Sequence, residues 1–242
     1  MEFDIGSFSS AGGKEKNEDT VLVLRKAHGL AAVVADGLGA HGGGEIASAS
    51  AAAAIRGALP ETGYTDTSAL SACFQAANKA VLANQKPGVA MKSTAVLLAI
   101  EREKAVFAHV GDSRGYCFRA GKLSGQTMDH SASQLAVLRG TITADQIRFH
   151  ESRSRLLRAL GADEAAHEEI LPLPAPLPGD AYLLCSDGFW EYVTEPEMEA
   201  DLAKSRSASA WLSYMLSRAG ARLQAEHDNL SAIAVLCNTA NA

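Results

Sequence analysis

Several carboxylates in this chain stand where apolar runs begin or end. Asp36 follows Ala32-Val33-Val34-Ala35 and precedes Gly37. Asp187 follows Tyr182-Leu183-Leu184-Cys185-Ser186 and precedes Gly188, and Asp112 follows Phe107-Ala108-His109-Val110-Gly111. Asp228, with Asn229, stands just before the run Leu230–Cys237, and Glu18 and Asp19 stand just before Thr20–Leu24. Desolvating a carboxylate at a strand end is costly unless a positive charge offsets it. One such residue is commonplace; several from distant parts of the chain imply strand ends converging on bound cations. Oxygen-only ligands without paired His or Cys select hard ions, Mg²⁺ or Mn²⁺ rather than zinc. Two such ions about 4 Å apart lower the pKa of a shared water and clamp a phosphate for in-line attack. Phosphoryl transfer needs mostly positioning and charge neutralisation, so the residues read as a metal-dependent phosphohydrolase.

The stretch around Asp36 admits other readings. Gly37-Leu38-Gly39-Ala40-His41-Gly42 fits G-x-G-x-x-G, the dinucleotide fingerprint, between a strand and a helix. That fingerprint needs a second strand ending in an acidic residue about 20 residues on. Here the helix leads to Leu59-Pro60-Glu61-Thr62-Gly63 and another helical pattern, and Asp36 would repel a pyrophosphate. A plain strand–turn–helix is the bland alternative, weakened by the recurrence of carboxylates in the same context.

At 242 residues, 47% hydrophobic and 21% charged, the chain can bury a sizeable core as one large domain or two small ones. A net charge of -6 without a basic run argues against a nucleic-acid partner. Cys73, Cys117, Cys185 and Cys237 lie far apart with no C-x-x-C, so they read as buried thiols rather than a disulfide framework or zinc site. The N-terminus Met1–Ile5 lacks the features of a signal peptide and no apolar stretch reaches 18 residues. The expectation is a cytoplasmic protein with no membrane partner.

The elements that must position these carboxylates follow from periodicity. Strands are expected over Met1–Ser9, Thr20–Leu24 and Leu30–Ala35, with a polar loop over 11–19 and a turn at Ala27-His28-Gly29. Helices follow over Gly44–Leu59, with Ile46, Ala49, Ala53 and Ala54 on one face, and over Ser68–Asn84, with a Leu70, Phe74, Ala77, Val81 stripe capped by Asp66 or Thr67. Strands return at Ser93–Ile100, Ala105–Val110 and Gly115–Arg119, then a hairpin turn at Ala120-Gly121. Ser131–Arg139 reads as a short helix, and Thr143 to Gln146 has capping-box spacing for another. Glu168–Leu173 and Ala181–Ser186 are strands, Thr194–Lys204 and Ala208–Gln224 helices, and Leu230–Cys237 the last strand. This order has no regular βαβ alternation, which argues against a doubly wound parallel sheet. It fits an α+β chain of two antiparallel sheets packed together with helix pairs outside.

Eight motifs in order now support a resemblance. They are Asn17-Glu18-Asp19, Asp36-Gly37-Leu38-Gly39-Ala40-His41-x-x-Gly44-Glu45, Ser93-Thr94-Ala95, Val110 to Tyr116, Asp129-His130-Ser131, Arg158-Ala159-Leu160-Gly161, Ser186-Asp187-Gly188 and Asp228-Asn229. Together they resemble the metal-dependent serine/threonine protein phosphatases of type 2C in their compact bacterial form, over nearly the whole chain. The resemblance implies a four-layer αββα sandwich, two central antiparallel sheets flanked by helix pairs, forming one catalytic domain over 1–242 with a flap at about 131–157. It implies two core Mn²⁺ or Mg²⁺ ions. Asp36 bridges both, the Gly37 carbonyl binds the first, Asp187 and Asp228 bind the second, and Glu18 and Asp19 hold metal-bound waters. Asp112 serves a third, weaker ion. A bridging hydroxide attacks phosphorus directly, with no phosphoenzyme.

The chain departs from the family's pattern at two places. Lys14 stands where bacterial members usually carry Arg, so the substrate phosphate meets a point charge rather than a bidentate fork. Leu38 stands where many eukaryotic members have a His proposed as general acid, and His41 is the candidate substitute on the phosphate. Arg114 is expected to brace a neighbouring loop, His109 to be a satisfied core histidine and His130 to fix a turn. Arg153, Arg155 and Arg158 are read as solvated, with substrate phosphate or acidic residues as the alternative. The implied partners are phosphorylated Ser/Thr proteins, a cognate kinase or its substrates, met by a monomer. A catalytically silent, phosphoprotein-binding scaffold is the alternative function; a nucleotide-dependent oxidoreductase is a third.

Overall fold

The computed structural model describes residues 1–39, 42–86 and 91–239. In chain order the first elements are β1 (Glu2–Ser10), β2 (Asp19–Lys26), β3 (Gly29–Leu38), α1 (Gly44–Ala58), α2 (Thr67–Asn84), β4 (Lys92–Ser93) and β5 (Ala95–Glu101). Next come β6 (Lys104–Val110), β7 (Arg114–Arg119), β8 (Lys122–Gln126), α3 (Ala132–Leu138), a 3-10 turn over Ala144–Phe149, and β9 (Glu169–Leu173). The chain closes with β10 (Ala181–Cys185), α4 (Asp187–Trp190), α5 (Glu195–Lys204), α6 (Ala208–Gly220) and β11 (Leu230–Asn238).

Two sheets form, ordered β1-β11-β10-β7-β8 and β2-β3-β5-β6-β9, with β4 added beside β3. Every pairing in both sheets is antiparallel. Alternation along each strand sorts side chains into three apolar layers. In β3, Ala31, Val33 and Ala35 face α1 and α2, while Leu30, Ala32 and Val34 face the other sheet. In β10, Leu183 and Cys185 pack toward α5 and α6, and Tyr182 and Leu184 fill the space between the sheets. Both faces are therefore covered, which is why these strands read as continuous apolar runs. The result is the αββα sandwich that the motif order implied. The four cysteines are free and buried.

Local departures from the expected elements have physical causes. The buried stripe of α1 is Ala47, Ser48, Ala51, Ala52 and Ile55, while Ile46 is exposed. An alanine-rich helix carries little hydrophobic contrast. The polar Ser48 turns inward because its hydroxyl donates to the Glu18 carbonyl at 2.5 Å. The run Ser93–Ile100 is broken at Thr94, which turns its backbone and hydroxyl to Asp36. Asp36 does not end its strand, because β4 pairs with Gly37 and Leu38 and extends β3 by two residues. The last helix stops at Gly220 rather than Gln224. Asp66 occupies the N-cap position of α2 without making a capping bond, and its carboxylate pairs with Lys104 instead. The capping box at Thr143 and Gln146 is present but opens a 3-10 turn.

Candidate functional site

Strand ends from both sheets meet at one end of the sandwich around a cavity of about 420 Å³. Its lining includes Lys14, Glu18, Asp36, Gly37, Asp112, Asp187 and Asp228, together with Leu38, Lys92, Ser154 and Leu156. Asp19 lies directly across the β2–β3 ladder from Asp36. Residues from seven separate stretches of sequence thus share one site. Asp36 stands on one sheet, and Asp187 and Asp228 flank the paired strands β10 and β11 of the other.

Backbone bonds hold Asp36 in place. Its N–H donates to Thr94 Oγ1 at 3.1 Å, and its carbonyl accepts from Thr94 N–H at 2.8 Å and from Ser93 Oγ at 3.1 Å. Gly37 is needed because a Cβ there would come within 1.9 Å of the Gly44 carbonyl oxygen. The loop carrying Lys14 is pinned to the strand that follows Asp228. Asn229 donates through Nδ2 to the Ala11 and Lys16 carbonyls at 2.8 and 3.0 Å and accepts the Glu18 N–H at 2.8 Å. Gly12 adopts φ 64° where a side chain would strike the Asp228 carbonyl. Lys14 consequently reaches Asp228 and forms an ion pair with it.

Burial, and then mutual repulsion, raises these carboxyls. Asp36 is held well above the usual carboxylate range by burial and by Asp19, Asp187, Asp112 and Asp228. Asp112 is raised by burial and by Asp187, and Asp187 by burial and by Asp228. Burial pushes Asp19 up to about 7 although a hydrogen bond from Ser186 favours its ionised form. Glu18 is raised by burial. Burial lowers Lys14, but its bond and charge attraction to Asp228 outweigh that and leave it raised. The cavity wall sets five carboxyl groups against two lysines, a surplus that bound cations would offset. Asp19 Oδ1 is buried with no hydrogen-bond partner among the described residues, while its Oδ2 accepts from Ser186 Oγ at 2.8 Å. An all-oxygen donor set with an orphaned buried oxygen fits hard divalent cations.

Other side chains singled out in the sequence are accounted for. Arg114 is a brace: its guanidinium grips Asp129 with two bonds of 2.8 Å and lies 3.5 Å over the Trp190 ring. Trp190 Nε1 in turn donates to the Asp112 carbonyl at 2.9 Å, tying α4 to the cavity. His130 fixes a turn, exchanging bonds with Gly111 through its own N–H and Nδ1. His109 is not a satisfied core histidine. Neither ring nitrogen has a partner among the described residues; the ring stacks on His130 at 4.6 Å, and burial drives its pKa down to about 3. Glu169 completes a compact group with the two histidines. There His130 Nε2 also meets Arg158 Nη1 at 3.3 Å, so a cationic side chain already borders the group. Arg153 is not free, since it binds Glu191 at 2.5 Å. His41 lies outside the described residues.

Sequence reasoning missed the one-turn helix α4, the rim residues Lys92, Ser154 and Leu156, and the role of Ser186 behind Asp19. Lys92 immediately precedes the Ser93-Thr94 motif, the one signal that could have drawn attention to it.

A paired-sheet sandwich that gathers acidic strand ends over one cavity agrees with the family that the sequence resembles. The chain belongs to the protein phosphatase 2C family, whose model (Protein phosphatase 2C) matches residues 9–231. It is 36% identical over 188 residues to the serine/threonine protein phosphatase PstP of Mycobacterium tuberculosis, covering 75% of this chain and 35% of that one. The chain thus spans about a third of the length of PstP. It is 30% identical over 232 residues to the serine/threonine phosphatase stp of Listeria innocua, covering 93% and 88% of the two chains. A crystal structure of the catalytic domain of a serine threonine protein phosphatase PstP in complex with two manganese ions superposes with a TM-score of 0.81. It is 27% identical over 98% of this chain and 99% of that one.

Proposed function

We propose that this chain is a metal-dependent protein serine/threonine phosphatase, folded as one catalytic domain over 1–242 with the flap at about 131–157. The observation that carries the reading is the convergence of Glu18, Asp36, Asp112, Asp187 and Asp228 on one cavity with too few cations to balance them. Asp36 and the Gly37 carbonyl would hold the first ion, and Asp36, Asp187 and Asp228 the second. Glu18 and Asp19 would orient water around them, and Asp112 would serve a third, weaker site. Bound there, Mn²⁺ or Mg²⁺ supplies Lewis-acid activation of water and neutralises phosphate charge.

The chain's own residues do the rest. Lys14 presents an ammonium to the phosphate from a loop that Asn229 holds rigid. Thr94 and Ser93 fix the backbone at Asp36, so its carboxylate needs little reorganisation when substrate arrives. The substrates are phosphoserine and phosphothreonine proteins, a cognate kinase or that kinase's targets, met in the cytoplasm by a monomer. No helix among the described residues is long and apolar enough to cross a membrane. The deciding experiment is hydrolysis of a phosphothreonine peptide with Mn²⁺ and with EDTA, for wild type and Asp36→Asn. Metal-dependent turnover that collapses in the variant is expected. A wild type inactive with Mn²⁺ would instead favour the silent, phosphoprotein-binding scaffold.

A further inference from the structure

The cavity has two unlike halves. Its floor is acidic and sheltered, with Asp36 and Asp112 buried. Its outer wall carries Leu38, Lys92, Ser154 and Leu156, of which Leu38, Lys92 and Ser154 are exposed. Lys14 and Lys92 are the two cations among the lining residues, and they are not equivalent. Lys14 is engaged by Asp228. Lys92 makes no ion pair among the described residues, although it borders a strongly acidic cavity.

The backbone of Lys92 is nonetheless part of the frame of the site. It lies across from Leu38, two residues beyond Asp36. Its neighbour Ser93 exchanges N–H···O bonds of 3.1 and 2.8 Å with Leu160 and donates its hydroxyl to the Asp36 carbonyl. Lys92 therefore stands on a fixed base in the cavity wall, with an exposed side chain long enough to reach the mouth. With divalent ions offsetting the acidic floor, a further cation at the mouth adds attraction for a dianionic phosphate or for an acidic residue beside it.

We propose that Lys92 is a specificity-determining residue: its ammonium receives an anionic group of the phosphorylated substrate at the mouth of the cavity. This rests on the phosphatase reading. The anionic group is a peripheral phosphate oxygen or a carboxylate flanking the phosphorylated residue, and the substrates chosen below separate these two sources.

The test compares wild type, Lys92→Ala, Lys92→Arg and Lys92→Glu, with Mn²⁺. The substrates are p-nitrophenyl phosphate, a phosphothreonine peptide with neutral flanks, and the same peptide with glutamates beside the phosphothreonine. KM is expected to rise about two- to fivefold in Lys92→Ala and further in Lys92→Glu, with kcat unchanged and Lys92→Arg near wild type. The effect should shrink as salt is raised. A loss on all three substrates assigns the contact to the phosphate; a loss confined to the glutamate peptide assigns it to the flanking carboxylate. Unchanged KM in Lys92→Glu on every substrate overturns the proposal, as does a fall in kcat at constant KM. Peptide binding, read by fluorescence anisotropy in an Asp36→Asn background with and without Lys92→Glu, gives the contact independently of turnover. If wild type proves inactive, the phosphatase reading fails, while anisotropy still decides whether Lys92 binds the phosphopeptide.

Discussion

Asp36 is crowded by four other carboxylates, and its backbone is held by three hydrogen bonds with Ser93 and Thr94, one donated and two accepted. Removing its charge should therefore leave the fold intact and, on the proposed reading, abolish metal binding. Asp36→Asn is expected to bind Mn²⁺ too weakly to measure by calorimetry while keeping the wild-type circular dichroism spectrum. Ser186 acts one step behind, since its hydroxyl orients Asp19 and its Oγ also accepts the Ser231 N–H at 3.1 Å. Loss of such a supporting contact costs about 10–100-fold in metal affinity. Calorimetric titration of Ser186→Ala with Mn²⁺ should show a drop of that order, and unchanged affinity would mean that Asp19 needs no such support.

At the scale of elements, α4 and the β6–β7 turn are coupled through Trp190, which holds the Asp112 carbonyl and carries Arg114 on its ring face. Arg114 and Asp129 are both nearly fully buried, their side chains 5% and 2% exposed. Removing one partner of such a pair strands the other charge, at a cost of about 3–5 kcal/mol. Arg114→Ala is expected to lose that much stability in urea denaturation. Arg114→Lys should recover little, because lysine cannot make the bidentate grip. A cost below about 1 kcal/mol would show that water reaches Asp129 and that the brace matters less than its geometry implies.

For the molecule as a whole, the clustered carboxyls link stability to pH and metal. The Asp19 carboxyl is raised from 3.8 to about 7, and Asp36, Asp112 and Asp187 shift the same way through burial and mutual repulsion. A raised carboxyl means that the folded state binds more protons than the unfolded state between the two pKa values. Unfolding free energy then falls as pH rises from about 4 to about 7. The metal-free protein should accordingly melt at lower temperature at pH 7.5 than at pH 5. Cation binding selects the folded, ionised cluster. Mn²⁺ at a hundredfold excess over its Kd should add about 2.7 kcal/mol per ion, and at a fixed Mn²⁺ concentration the gain should be larger at the higher pH, where fewer protons compete for the carboxylates. Differential scanning fluorimetry with EDTA and with Mn²⁺ across that range checks both signs.

The sequence by itself pointed to the sandwich and to the carboxylates that the structure gathers on one cavity. Apolar runs in β3, β6 and β10 read as strands, and glycine or small polar residues beside Asp36, Asp112 and Asp187 placed those carboxylates at or near the strand ends. Those signals are local, so they survive without coordinates. What only the tertiary structure decided depends on partners far away in the chain. Ser48 faces inward because Glu18, 30 residues earlier, offers it a carbonyl. Thr94 interrupts its strand to hold Asp36, Arg153 finds Glu191, and Lys92 enters the cavity wall by pairing across from Leu38. His109 lies in an apolar run like its neighbours, and only packing against His130 shows that its ring is left without a hydrogen-bond partner. Periodicity reports which face a side chain takes; the charge or carbonyl waiting on that face is set by the antiparallel register and by the packing of one sheet on the other.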